Sequence, residues 1–169
     1  MQCLMPHYYV KAVDSITLSA LKEANIKLVL LDRDNTIVPR DTKEAPASAL
    51  AWIQELKEAG IDLMFVSNNW AKNVRIEADK LGLKWISKGL KPLPFVFWIA
   101  LFRMKLKRSE AILVGDQIFT DVLGAKLAGI RSILVEPQSS SDLQHTLLLR
   151  KLEAWVLNGR SAQKELKSL

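Results

Sequence analysis

Three features of the sequence predict an α/β fold, a doubly wound, Rossmann-like sheet of five parallel strands. Short apolar runs alternate with segments of helical periodicity from Ile26 to Val135, the pattern of strands joined by crossover helices. The run Leu28-Val-Leu-Leu is apolar at every position, as suits a strand buried on both faces. Several runs also end abruptly in polar residues, and open parallel sheets bind ligands at the carboxyl ends of their strands.

In chain order, Thr17 to Ala24 reads as a short helix after the polar pair Asp14-Ser15, and Ile26 to Leu31 as the first strand. A polar loop runs from Arg33 to Ala45. From Pro46, the residues Ala49, Leu50, Ile53, Leu56 and Ala59 recur at helical spacing, with proline at the start and Gly60 as the stop. Ile61 to Val66 is the second strand. Asn69 is placed to cap a helix through Leu81 that ends at Gly82, and Leu83 to Ile86 is the third strand. Pro92 to Leu106 reads as a helix. Ala111 to Val114 is the fourth strand, followed by a helix through Ala128 that stops at Gly129, and Arg131 to Val135 is the fifth.

The serines at 139–141 form a loop and a cap for a last amphipathic helix, with Leu143, Leu147, Leu148, Leu152, Trp155 and Val156 on its buried side. After Gly159 the tail is polar and expected to fray. One domain is expected over 1–169, with a core over about 26–136, an N-terminal arm and helix over 1–25, and a C-terminal helix and tail over 139–169.

At 49% hydrophobic and 25% charged, 169 residues suffice for a full core. One cysteine, Cys3, excludes an internal disulfide and a cysteine zinc site, which suits a reducing cytoplasm. The two histidines, His7 and His145, lie too far apart in sequence to suggest a shared metal. No basic segment leads into an apolar core at the N-terminus, and no run reaches the roughly 18 apolar residues of a membrane span. A net charge of +6 points towards anionic partners without choosing among phosphate esters, nucleic acid and acidic lipid.

Four strand ends carry the polar chemistry: Asp32 and Asp34 after the first, Ser67-Asn68-Asn69 after the second, Lys91 before the fourth helix, and Asp116 with Asp121 after the fourth strand. If the first and fourth strands are neighbours, Asp32, Asp34 and Asp116 bring like charges to one point, where a hard cation such as Mg²⁺ would relieve their repulsion. Mg²⁺ takes a few carboxylates plus waters and phosphate oxygens, and Ser67 and Lys91 are placed to hold a phosphate. Each residue has an ordinary alternative. Asp32 and Asp34 could form a solvated turn, Asp116 a helix cap, Ser67 a common strand-end residue and Lys91 a solvated lysine, while Asn68 and Asp121 are caps or helix-face groups as readily as ligands. Thr36 is read as shaping the loop.

The Asp-x-Asp-Asn-Thr segment, Ser67, Lys91 followed by proline, and Gly115-Asp116 with Asp121 five residues on resemble the four ordered motifs of the haloacid dehalogenase superfamily. With Pro6 and Tyr9-Val10-Lys11 upstream, the pattern is similar to the YqeG-like family of subfamily IIIA phosphatases, related to phosphatidylglycerophosphate phosphatases. The resemblance implies that Asp32 is the nucleophile of an aspartyl-phosphate and that Asp34 protonates the leaving group and then activates water. A carboxylate nucleophile splits hydrolysis into two easier displacements, and a second carboxylate can serve as acid and then base. By the same resemblance Ser67 binds phosphate, with Asn68 beside it, and Lys91 stabilises charge on the nucleophile and phosphoryl group. Mg²⁺ is implied to bind Asp32, the Asp34 carbonyl and Asp116, with Asp121 either an outer ligand or an orienter of Lys91. Arg33 departs from the pattern, because an apolar or small residue often stands between the two aspartates.

Only 32 residues separate Asp34 from Ser67 and 23 separate Ser67 from Lys91, which the expected elements consume, so no cap domain is expected. An uncapped site suits a large or surface-held phosphate ester, and oligomerisation is another way to cover it. The segment Leu93 to Phe102 is apolar nearly all round, with Arg103, Lys105, Lys107 and Arg108 after it. It suits a crossover helix, or a face used for a dimer or for peripheral contact with an anionic membrane. A lipid phosphate would unite that segment with the charge and the open site. Soluble sugar or nucleotide phosphates are the alternative substrates, and a non-hydrolytic phosphoacceptor signalling domain is the rival function. No nucleic-acid partner is expected, since the basic residues are scattered and no aromatic-rich RNA-binding signature is present.

Overall fold

A computed structural model describes residues 4–139, 152–157 and 159–169. Its strands are β1 (Tyr8–Val10), β2 (Leu28–Leu31), β3 (Asp62–Val66), β4 (Lys84–Ile86), β5 (Ala111–Gly115) and β6 (Arg131–Val135). Its helices are α1 (Leu18–Glu23), α2 (Ala47–Glu58), α3 (Ala71–Leu81), α4 (Phe95–Met104) and α5 (Leu123–Ala128). The sheet order is β1-β6-β5-β2-β3-β4, and every pair is parallel.

The sheet has six strands, one more than the sequence pattern predicts. The extra strand is β1, which lies in what reads as an N-terminal arm. Three residues are too few to declare a period, and β1 exists because it pairs with β6, Tyr9 opposite Leu134. The tail is the second correction. Instead of fraying, it docks on the N-terminal region: Gln163 N–H donates to Tyr9 O, and Lys11 N–H donates to Gln163 O. Leu166 is buried.

Alternation along β2 explains why it reads as apolar throughout. Val29 and Leu31 join the core beneath α2, with Trp52, Ile53 and Leu56. Leu28 and Leu30 face the opposite layer, with Phe97 and Ala100 of α4 and Ala125 of α5. Helix α2 begins after Pro46 as expected, although Leu50 points outward and Trp52, whose indole donates to Ile16 O at 2.8 Å, takes the buried place.

Helix α3 starts after Trp70 rather than after a capping Asn69, and no side chain caps it. Helix α4 buries Val96, Phe97, Ala100 and Leu101, yet leaves Phe95, Ile99 and Phe102 exposed, Phe102 by 84%. In the last helix Val156 is buried as expected, whereas Leu152 and Trp155 are exposed. Leu143, Leu147 and Leu148 lie outside the described residues. Among the described residues no helix is long and apolar enough to cross a membrane. Between β2 and β5 the described chain holds β3, β4, their crossover helices and connecting loops, the longest over residues 32–46, with no inserted domain.

Candidate active site

The first and fourth expected strands, β2 and β5, are neighbours, with Leu31 opposite Val114. Asp32 continues that ladder by one residue, its N–H donating to Val114 O at 2.9 Å. The all-apolar strand therefore delivers its first polar side chain straight into the edge of the sheet, where Asp32 is 7% exposed. Asp116 follows β5 and is also buried, and Thr36 Oγ1 donates to its Oδ1 at 3.4 Å.

Lys91 lies between Asp32 and Asp121. Its Nζ donates to Asp32 Oδ1 at 2.7 Å and to Asp121 Oδ1 at 2.6 Å, and all three groups are buried. Lys91 sits on a loop, so its position depends on Asn68. The Asn68 side chain accepts from Lys91 N–H at 2.7 Å and donates to Lys91 O at 3.1 Å, a two-point clamp on the backbone. Ser67 anchors the same junction: its carbonyl accepts from Gly89 N–H, and its Oγ accepts from Asn69 N–H at 3.1 Å.

Asp121 also accepts from Gln117 N–H, through Oδ2. It folds against Gly115 so tightly that a Cβ at Gly115 would stand 2.5 Å from its carboxyl carbon. That close approach explains the glycine before Asp116. With one oxygen on Lys91 and the other on Gln117, Asp121 has the geometry of a group that orients Lys91.

Asp34 is held differently. Arg33 Nη1 donates to its Oδ1 at 2.7 Å, and Asn69 Nδ2 donates to its Oδ2. Arg33 also approaches Glu77 at 3.8 Å. The residue that departs from the family pattern thus forms a side-chain pair with the second aspartate. The Asp34 carboxyl lines the cleft with Asp32 and is not one of the grouped carboxylates Asp32, Asp116 and Asp121.

Oxygens of Asp32, Asp116 and Asp121 lie within 4.8 Å of one another. Burial pushes the Asp32 carboxyl above the usual carboxylate range, and the Asp121 charge adds to this, while Lys91 opposes it. Burial alone would pull Lys91 down, but the charges of Asp121 and Asp32 outweigh it and hold the ammonium above the ordinary lysine range. One lysine among three carboxylates leaves positive charge wanting. The donor set therefore fits a hard divalent cation, which takes carboxylate oxygens at about 2.0–2.6 Å.

The sequence-predicted residues Asp32, Asp34, Ser67, Asn68 and Lys91 line one small cleft of about 50 Å³, together with Asn69, Gln117 and Thr120. Asp116 and Asp121 lie behind it, joined to it through Thr36 and Lys91. The sequence reads Asn69 as a helix cap and gives no site role to Gln117, Thr120 or Asn35. Asn35 is fully buried with a positive φ of 59°, and its Oδ1 accepts from Arg40 N–H and Ser139 Oγ. Asparagine is among the few residues that adopt this conformation readily, and its place inside the Asp-x-Asp-Asn-Thr segment was the available signal.

Residues 1–138 match the family described as mitochondrial PGP phosphatase. The probable phosphatase YqeG of Bacillus subtilis is 38% identical over 154 residues, covering 91% of this chain and 90% of the relative. The chloroplastic/mitochondrial phosphatidylglycerophosphate phosphatase 1 of Arabidopsis thaliana is 28% identical over 180 residues. That match covers 94% of this chain but half of the plant protein. Among solved structures, the 3-deoxy-D-manno-octulosonate 8-phosphate phosphatase of Moraxella catarrhalis, in complex with magnesium, phosphate and sugar, superposes with a TM-score of 0.52. It is 15% identical, covering 84% of this chain and 92% of that one, and at that identity the likeness speaks for the fold.

Proposed function

We propose, from the premise that this chain belongs to the mitochondrial PGP phosphatase family and is a phosphatase of the haloacid dehalogenase type, that it hydrolyses phosphate monoesters through an aspartyl-phosphate on Asp32. The observation that carries the reading is the buried contact of Lys91 with Asp32 and Asp121, beside Asp116.

In this mechanism an Asp32 oxygen attacks phosphorus, and the bond from phosphorus to the ester oxygen breaks. Asp34 gives a proton to the departing alkoxide. It then takes one from the water that attacks the aspartyl-phosphate, so that inorganic phosphate leaves and Asp32 is restored. Lys91 holds its ammonium against the attacking carboxylate and neutralises charge on the phosphoryl oxygens, and Ser67 Oγ donates to them. Asn69 and Arg33 keep Asp34 aimed across the cleft. Asp32, Asp116 and the Asp34 carbonyl would hold Mg²⁺, which when bound supplies Lewis-acid neutralisation of the phosphate. Asp121 serves as the group that orients Lys91. Family membership sets aside the phosphoacceptor signalling alternative.

The preferred substrate is a phosphate held at a membrane surface, such as phosphatidylglycerophosphate, rather than a soluble sugar or nucleotide phosphate. The open edge of the sheet admits a bulky leaving group. Phe95, Ile99 and Phe102 on the outer face of α4, followed by the exposed Arg103, Lys105, Lys107 and Arg108, suit peripheral contact with an anionic bilayer. Phosphate release from phosphatidylglycerophosphate micelles, measured with Mg²⁺ beside a panel of sugar and nucleotide phosphates, tests this directly. A preference for the soluble panel would sink the lipid reading. Asp32→Asn should abolish release from every substrate with the thermal midpoint retained, and residual activity at the wild-type rate would overturn the mechanism. Flotation with anionic liposomes should carry the protein upward, less so after Phe102→Ser, and no flotation would remove the membrane contact.

A further inference from the structure

The turn that follows β5 presents two side chains to the catalytic cleft, Gln117 and Thr120, and the mechanism above uses neither. Its backbone is fixed on both sides. Gln117 N–H donates to Asp121 Oδ2 at 3.2 Å, and the next N–H, of Ile118, donates to Oε1 of the buried Glu153 at 2.6 Å. Beneath the turn, Ile118 and Val122 are buried in a cluster with Leu134 and Val156. A side chain carried on such a turn reaches the cleft from a preorganised base.

The Gln117 amide is oriented as well. Thr120 Oγ1 donates to Gln117 Oε1 at 3.1 Å, which engages the acceptor end of the amide and leaves Nε2, a double donor, for what enters the cleft. Among the described residues no partner holds that nitrogen. The neighbouring donors are already engaged, Asn68 Nδ2 with Lys91 O and Asn69 Nδ2 with Asp34. Lys91 Nζ gives two of an ammonium's three hydrogens to Asp32 and Asp121. A phosphoryl group in transfer spreads charge over three equatorial oxygens. Lys91 and Ser67 bring one remaining hydrogen apiece, so the anion has room for a further donor.

We propose that Gln117 is a catalytic residue whose Nε2 donates to a non-bridging oxygen of the reacting phosphate, and that Thr120 is a positioning residue that turns the amide donor-first into the cleft. This rests on the phosphatase reading. While the bond from Asp32 to phosphorus forms and the ester bond breaks, the non-bridging oxygens stay the same from one ester to the next. A donor aimed at them therefore aids every substrate by the same factor.

The test measures kcat/KM at saturating Mg²⁺ on 4-nitrophenyl, phenyl and propyl phosphate, with calorimetric binding of inorganic phosphate and thermal midpoints beside it. Gln117→Leu keeps the backbone N–H on Asp121 and removes the amide. It should lower kcat/KM on all three esters by one common factor of about 10- to 100-fold, the loss of a hydrogen bond to a charged group, and weaken phosphate binding. Thr120→Val should lose less in both measurements, and Thr120→Ser, which restores the hydroxyl, should recover them. Wild-type kcat/KM and phosphate affinity in Gln117→Leu overturn the inference. A loss that differs among the three esters also overturns it, because the contact is then with the alcohol. If the midpoint of Gln117→Leu collapses, Gln117→Glu decides: its carboxylate still accepts from Thr120 but repels phosphate, so wild-type rates there overturn the inference and a common loss supports it. If the wild type hydrolyses none of the esters, the phosphatase reading fails and calorimetry decides the contact alone. Weaker phosphate binding by Gln117→Leu than by wild type supports it, and equal or absent binding overturns it.

Discussion

Replacing Lys91 with methionine keeps an unbranched stem of similar length in place and removes only the ammonium. What remains is Asp32, Asp116 and Asp121, buried within 4.8 Å of one another with no lysine among them. Removing one partner of a buried ion pair costs about 3–5 kcal/mol, because the other charge stays buried and unpaired. At about 2–4 °C per kcal/mol for a domain of this size, the thermal midpoint in EDTA should fall by about 6–20 °C. The pH dependence has a definite sign. Asp32 already has a raised pKa in the folded chain, so its contribution to stability is full below the unfolded value near 3.8 and is lost as pH rises through the folded one. Losing Lys91 removes the largest influence holding that pKa down. The midpoint of Lys91→Met should therefore approach that of wild type in acid and fall behind it towards neutrality. The lysine's own contribution is full below 10.5 and lost only in strong alkali, so it does not shape the neutral range. Two rescues should work: Asp121→Asn in the same chain, which removes one of the stranded charges, and Mg²⁺ at 100 times its dissociation constant, worth about 2.7 kcal/mol. Thermal melts by circular dichroism over pH 4 to 8 measure all of this. A midpoint in EDTA equal to wild type, or a loss that ignores pH, would refute the electrostatic account.

Two further outcomes follow from other contacts. Gly115→Ala places a Cβ against the Asp121 carboxyl, so it should cost about 1–3 kcal/mol as an overpacked site and cut kcat by displacing Lys91; wild-type kcat would refute the packing argument. His7 Nδ1 accepts from Ser132 N–H at 3.2 Å, and burial, Lys126 and Arg131 lower its pKa. Its contribution is present above pH 6.5 and lost as pH falls through the folded value, so melts from pH 7 to 5 should decline more steeply in wild type than in His7→Phe, and parallel slopes would dismiss the histidine.

The core strands were legible because each is a run of apolar side chains, and side-chain pattern is what sequence displays. What escaped the reading depends on the backbone. β1 offers three residues and owes its pairing to β6, more than 120 positions later. Gln163 and Leu166 sit in a tail that reads as polar, yet their bonds to Tyr9, Lys11 and Ser15 are made by backbone groups. Asn69 misled for a related reason. It has the side chain of a helix cap and stands before a helix, but Asp34 is near enough to take its amide, and Trp70 fills the cap position with no side-chain bond.

The candidate site was more legible than the sheet edge, and register explains why. Leu31 lies opposite Phe65 on one side and Val114 on the other. Counting outward from that row, Asp32 is one residue beyond it, and Ser67 and Asp116 are each two beyond. Three segments far apart in sequence thus change from apolar to polar at the same level of the sheet, and a parallel ladder converts that coincidence into proximity. Lys91 obeys no such rule, since it stands five residues past β4. Its place depends on Asn68, which holds both its N–H and its carbonyl, and on the two carboxylates that take its ammonium. Asn68 therefore acts on the chemistry through Lys91, a role that neither its type nor its neighbours in sequence could have disclosed, because the clamp exists only once β3 and the 88–91 loop lie side by side.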